Sequence, residues 1–325
     1  MELTQKLNDE QIEAVNHNQG PLLIIAGAGT GKTKVITTRI INIIEQGWAK
    51  PSEILALTFT DKASKEMLDR VDTAMPLGYE EVNISTFHSF CEKLLRQEAL
   101  NIGLDINFTL MTQAQAYMLF RKNLYKFPLQ KLRPIGNPSS YITEILKHFS
   151  RLQDEDIRPD DYIDYVTKLK QDTQEEKEHY ERLKELSETY KVYSQLKIDE
   201  SKLDFGDVIN LALKLLRESP ITLQKYRQQY KYILVDEFQD TNFTQNVLIN
   251  TLAINVDPKY IEIAGTGKCS PEIQKKITQA SKKSNITVVG DDDQAIYKFR
   301  GAAISNILQF KKIYPSATNI VLTRN

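Results

Sequence analysis

Six apolar runs punctuate the chain: Leu22–Ile25, Ile54–Phe59, Val82–Ser85, Tyr232–Val235, Ile286–Val289 and Asn319–Leu322. They read as strands, and between them apolar positions recur with helical spacing, as from Val35 to Ile44. Such alternation predicts an α/β domain: a mostly parallel sheet with helices on both faces. It lapses between Glu92 and Asp204, where the pattern is almost entirely helical and Tyr180, Leu183, Leu186, Tyr190 and Tyr193 form one stripe. That stripe reads as core. The predicted organisation is an α/β domain of residues 1–91 and 204–325, with a helical domain, 92–203, inserted between the third and fourth strands. No repeat or low-complexity segment breaks the picture.

Composition narrows it further. A chain of 325 residues can bury one large core or two ordinary ones. Lys+Arg 42 against Asp+Glu 43 leaves no global positive field, so a nucleic-acid partner would be held locally. Cys91 and Cys269 are the only cysteines and no signal-peptide pattern opens the chain, which predicts a reducing, cytoplasmic setting without disulfides. No apolar run reaches membrane-spanning length.

The first strand leads into Ala26-Gly27-Ala28-Gly29-Thr30-Gly31-Lys32-Thr33-Lys34 and then a helix. Glycines let backbone N–H groups turn toward phosphate oxygens, and the helix N-terminus adds partial positive charge. Lys32 would reach the terminal phosphates and the Thr33 hydroxyl would bind Mg²⁺. Ala26 stands where the general pattern has glycine. The strand Tyr232–Val235 ends in Asp236-Glu237, which suits a Mg²⁺-holding aspartate and a glutamate that polarises the attacking water. Together they predict ATP hydrolysis, with ATP and Mg²⁺ as cofactors.

Two other segments invite a chemical reading. Arg121 to Arg151 sets Arg121, Lys122, Lys126, Lys131, Arg133, Lys147 and Arg151 against the single acid Glu144, with Tyr125, Phe127, Tyr141 and Phe149 interleaved. Pro128, Pro134, Gly136 and Pro138 break its middle into a loop, and a phosphate backbone is its natural partner. By contrast, Gly265-Thr-Gly-Lys268-Cys269 only imitates a phosphate loop, having Cys where Ser or Thr should hold Mg²⁺. The lysines that follow it, Lys275, Lys276, Lys282 and Lys283, read as a solvated helix face.

Further motifs accompany these. Leu7-Asn8-Asp9-Glu10-Gln11 precedes the phosphate-loop strand, and the Gln11 amide can both donate to and accept from adenine. Thr58-Phe-Thr-Asp-Lys62-Ala63 and Thr86-Phe-His88-Ser-Phe-Cys91 each follow a strand, and Gly290-Asp-Asp-Asp-Gln294-Ala-Ile-Tyr297-Lys-Phe299-Arg300-Gly301 follows another. With Asp236-Glu237-Phe-Gln239-Asp-Thr and Leu322-Thr-Arg324-Asn325, the order resembles that of the UvrD, Rep and PcrA group of superfamily 1 DNA helicases over nearly the whole chain.

The resemblance implies a RecA-like ATPase that moves along single-stranded DNA toward the 5′ end of the bound strand and opens duplexes at single-strand/double-strand junctions. It assigns Gln11 to adenine, Asp236 to Mg²⁺, Glu237 to general base, and Gln239 and Gln294 to sensing the γ-phosphate. Arg70 and Arg324 match arginines near the nucleotide. Phe59, Asp61, Thr86, His88, Tyr297 and Phe299 would face DNA, the aromatics by stacking on bases. Asp61 stands where the group usually has asparagine and Phe299 where it usually has tryptophan. The stretch between Thr241 and Ile286 is longer than the group's norm.

Asn325 falls within the motif where the family continues into a second RecA-like domain. The reading is therefore an N-terminal, ATP-binding half. A helicase–nuclease of the AddA or RecB type and a non-catalytic ATP-gated DNA-binding module are the alternatives.

Overall fold

Short apolar runs flanked by caps and glycines leave little freedom in where strands begin and end. A computed structural model describes residues 7–27, 29–76, 78–132, 141–265, 269–291 and 302–323. It opens with α1 (Asp9–Asn16), β1 (Leu22–Ala26), α2 (Lys32–Glu45), β2 (Ile54–Thr58), α3 (Asp61–Ala74), β3 (Asn83–Thr86) and α4 (Phe87–Glu98). Next come β4 (Thr109–Leu110), α5 (Gln113–Lys122), α6 (Ile142–Asp154), α7 (Pro159–Thr167), α8 (Gln174–Asp199), β5 (Lys202–Leu203) and α9 (Phe205–Glu218). The chain then runs through α10 (Pro220–Gln229), β6 (Tyr232–Val235), α11 (Phe243–Ala253), α12 (Pro258–Gly265), α13 (Pro271–Ser281) and β7 (Ile286–Gly290) to α14 (Ala302–Ile313) and β8 (Thr318–Leu322). Two compact units result, Met1–Phe90 with Leu216–Asn325, and Cys91–Leu215.

In the first unit all six predicted strands form one parallel sheet, ordered β3-β2-β6-β7-β1-β8. β2, β6 and β7 are buried along their whole length, as strands covered on both faces must be. The connections leaving β2 and β6 run in opposite directions along the sheet, an arrangement that opens a crevice at the strands' carboxyl ends.

One buried charge ties this sheet to α1. Arg39, 1% exposed, donates to the carbonyls of Ala14 (2.9 Å), Val15 (3.4 Å) and His17 (2.5 Å) at the end of α1, and its Nε donates to Thr287 Oγ1 on β7 at 3.0 Å. Burial pushes its pKa down to about 10, but the carbonyl end of a helix is a favourable place for a cation. Arg39→Met keeps the bulk and orphans those carbonyls, so it should destabilise this unit by on the order of 3 kcal/mol. Chemical denaturation would measure it, and a change under 1 kcal/mol would contradict the account.

In the second unit, Phe120, Phe127, Phe149, Tyr190 and Tyr193 fill the core, with Tyr180, Leu183 and Leu186 packed against it. The α8 stripe is core, as its spacing predicts. Phe127 and Phe149 correct the reading of interleaved nucleic-acid aromatics: Phe127 stacks on Phe120 at 4.2 Å and both are at most 5% exposed. Tyr141 is partly buried and Tyr125 is the exposed one. Arg133, Pro134, Gly136 and Pro138 lie outside the described residues. The all-helical expectation also misses β4 and β5, a parallel pair whose two-residue strands are too short to carry a period.

Candidate nucleotide site

The phosphate loop spans the end of β1 and the start of α2. Gly31 caps α2 with φ +86°, a left-handed conformation, and a Cβ there would meet Gln11 Nε2 at 3.1 Å; glycine is needed on both counts. Ala26 closes β1 and packs fully buried, which explains why a small apolar residue serves at that position. Gly27 O accepts from the Thr30 hydroxyl at 2.9 Å. Thr33 and Lys34 begin the helix, half-buried, while Ala28 lies outside the described residues.

Gln11 is 5% exposed and already engaged. Its Oε1 accepts from Asn8 N at 3.1 Å in a capping box, and its Nε2 donates to Thr30 O at 3.0 Å. In this state the amide buttresses the loop from behind.

Three adjacent strand ends supply the rest. Lys32 Nζ lies 3.4 Å from Glu237 Oε2, past β6, and 3.5 Å from Asp291 Oδ2, past β7. Gln239 joins them, donating to Glu237 Oε2 at 2.7 Å and accepting from Asp291 N at 3.0 Å. Gly290 makes room, since a Cβ there would stand 3.1 Å from Gln239 Oε1. Asp236 is 3% exposed, and its Oδ1 accepts from Glu237 N at 2.9 Å. Burial and the neighbouring Glu237 push its pKa up to about 6. Glu237 has φ +49°, a strained conformation for a side chain of this size. Asn306 holds the turn that follows, donating to Thr241 O at 2.7 Å, while Phe310 packs edge-on against Phe238.

Asp291 and Asn306 are the residues that the motif reading did not assign. Asp291 sits in the quoted GDDDQ run, so its letter was visible but its partner was not. Asn306 carries no local signal and meets the turn only through folding.

A cleft of about 1060 Å³ opens between α2 and α3, lined by Gly29, Gly31, Lys32, Thr33, Lys62 and Arg70 among others. That is room for a nucleotide. Arg70 is exposed and paired with Glu66 at 2.5 Å, on the cleft wall. Phe59 is 51% exposed just past β2, and Asp61 begins α3, also exposed. Thr86 pairs with Thr58 across β3 and β2 but is buried, its hydroxyl accepting from Ser89 N at 3.2 Å; it works as a local cap. His88 is half-buried on α4. Gln294, Tyr297, Phe299 and Arg324 lie outside the described residues.

Among the described residues no three His, Cys, Asp or Glu side chains form a self-sufficient metal centre. No helix among them is long and apolar enough to cross a membrane. The imitation loop begins at Gly265, the last residue of α12, and Lys275, Lys276, Lys282 and Lys283 are exposed on and after α13.

A family model described as the UvrD/REP helicase N-terminal domain matches residues 7–315. The chain is 37% identical to DNA helicase II of Rickettsia typhi over 322 residues, covering 98% of this chain and 42% of that protein. It is 34% identical over 324 residues to the ATP-dependent DNA helicase PcrA of Bacillus subtilis, covering 100% of this chain and 38% of the relative. The chain thus spans about two fifths of the length of these curated relatives.

Proposed function

The chain belongs to the UvrD/REP helicase family, and on that premise we propose that it is the ATP-hydrolysing part of a motor that moves along single-stranded DNA and acts at single-strand/double-strand junctions. The observation that carries this is the meeting of Lys32, Glu237, Gln239 and Asp291 beside the phosphate loop.

Lys32 stands 3.4 and 3.5 Å from its carboxylates, well beyond the 2.7–2.9 Å of a strong charge-assisted bond. Exchanging them for phosphate oxygens therefore costs little. Thr33 and Asp236 are the residues that would hold Mg²⁺, and they fit it: a cation offsets the burial and the neighbouring Glu237 charge that raise the Asp236 pKa. When bound, Mg²⁺ neutralises charge on the phosphates. Released by Lys32, Glu237 accepts the proton of the attacking water. Gln239 turns from Glu237 toward the γ-phosphate, and because it also accepts from Asp291 N, its movement reaches the end of β7. The family resemblance assigns Gln294 and Arg324 to the γ-phosphate and Arg70 to the nucleotide, and it assigns Gln11 to adenine once its amide leaves Thr30. Phe59 offers an exposed ring on which any base can stack, worth about 1–3 kcal/mol. On the family resemblance alone, Tyr297, Phe299, Asp61 and His88 are also assigned to DNA contact.

Phosphate release in the presence of single-stranded DNA tests the reading. Glu237→Gln should keep Mg²⁺–ATP binding and lower hydrolysis by about 10²–10⁴-fold. Undiminished hydrolysis would remove Glu237 as the base, and a wild-type chain that binds no nucleotide would end the proposal.

A further inference from the structure

At the opposite, amino-terminal end of the strands lies a second cavity of about 380 Å³, lined by Trp48, Gln224, Arg227, Lys231, Lys283 and Asn285 among others. None of its described lining residues is acidic. Arg227, Lys231 and Lys283 are instead cations, and their charges are unequally met. Lys231 pairs with Glu53 at 2.6 Å. Among the described residues Arg227 finds only neutral acceptors, Thr251 O at 2.9 Å, Asn255 Oδ1 at 3.3 Å and Val256 O at 2.9 Å. These contacts use three of the five guanidinium N–H groups. Burial pushes its pKa down to about 10, against a weaker opposing field from Asp257. Lys283 is exposed, and among the described residues it makes no ion pair.

Cations at such a place can simply offset the carbonyl ends of helices, and Arg227 does so at α11. That role explains neither Lys283 nor the two remaining guanidinium donors, nor a concave wall with an indole and side-chain amides facing it. We infer that this cavity is a second anion site, distinct from the nucleotide cleft, which takes a small phosphate-bearing ligand. Arg227 offers two N–H groups to phosphate oxygens, Lys283 adds point charge, Lys231 contributes only what its pairing with Glu53 leaves, and Trp48 forms an apolar wall.

Trp48 is the chain's single tryptophan and lines this cavity, so its emission can follow ligand there, with the Lys32→Ala control separating any change that starts at the nucleotide cleft. Titration of the 325-residue chain with pyrophosphate should give a saturable change in wild type and equally in Lys32→Ala, which disables the other site. Lys283→Glu should weaken it at least tenfold, and Arg227→Gln likewise. Lys283 is exposed, so its variant reads binding even if loss of Arg227 disturbs the end of α11. Flat emission, an unchanged titration in Lys283→Glu, or loss in Lys32→Ala would each overturn the inference. An equal response to citrate would overturn the assignment to phosphate.

Discussion

Lys32→Ala should weaken Mg²⁺–ATP binding by on the order of 100-fold, because a charge-assisted contact to phosphate is worth roughly 1.5–3 kcal/mol and its loss leaves surplus negative charge behind. The second part follows from the geometry. Lys32 faces Glu237 and Asp291, and Asp236 lies at the end of the same strand as Glu237. Without the ammonium, an incoming triphosphate meets carboxylates with less positive charge to offset them. Calorimetry on wild type and variant measures the effect, and equal affinity would show that the phosphates bind elsewhere. Asp291→Asn, which frees Lys32 from one of its two carboxylates, should by contrast leave Mg²⁺–ATP binding intact.

The largest effect on stability is expected at Lys197 in the second unit. It is 1% exposed, 2.5 Å from Asp204 and 2.6 Å from Asp207, with Tyr193 beneath it at 4.6 Å. Gln153 completes the cluster, donating to both carboxylates at 3.0 and 2.9 Å. Lys197→Met removes the cation and strands two neighbouring carboxylates, which should cost about 3–5 kcal/mol and lower the melting temperature by roughly 10 °C or more. Changing Asp204 and Asp207 to asparagine in the same background should recover much of that loss. If Lys197→Met alone melts like wild type, the cluster is not a buried ion network.

The same cluster sets a pH dependence. Burial and the adjacent Asp204 push the Asp207 pKa up to about 7, while Lys197 holds Asp204 below its usual value. A group with a raised folded pKa contributes its stability most fully below the unfolded value, near 4, and loses it as pH rises through 7. Asp204 works in the other direction, but its loss falls below pH 4. His148, lowered first by burial and then by Arg151, loses stability as pH falls through its own range and partly masks the trend. The readout is therefore a difference: wild type should lose more stability than Asp207→Asn between pH 5 and pH 8.

By itself the sequence determined every strand of the main sheet, the phosphate loop and the Asp236-Glu237 pair. These rest on short-range constraints: an apolar run between turn signals, a glycine that must adopt positive φ, and a charged pair ending a buried strand. Lys32 and Glu237 could be predicted to meet because both motifs belong at carboxyl strand ends. What only the tertiary structure decided is which neighbours those residues acquire. Asp291 reaches Lys32 because β7 lies beside β1, an order that no local pattern encodes. Phe127 and Phe149 look like stacking aromatics amid basic residues, yet they turn inward, since a helical domain needs large apolar volume and lysines can extend away from it. The Gln11 amide is spoken for by Asn8 and Thr30, a commitment that depends on the loop folding back over α1. Nothing local in the sequence marks Arg39 or Lys197 as buried. Only the fold supplies the carbonyls and carboxylates that make their burial tolerable, because charge compensation is a property of residues distant in the chain.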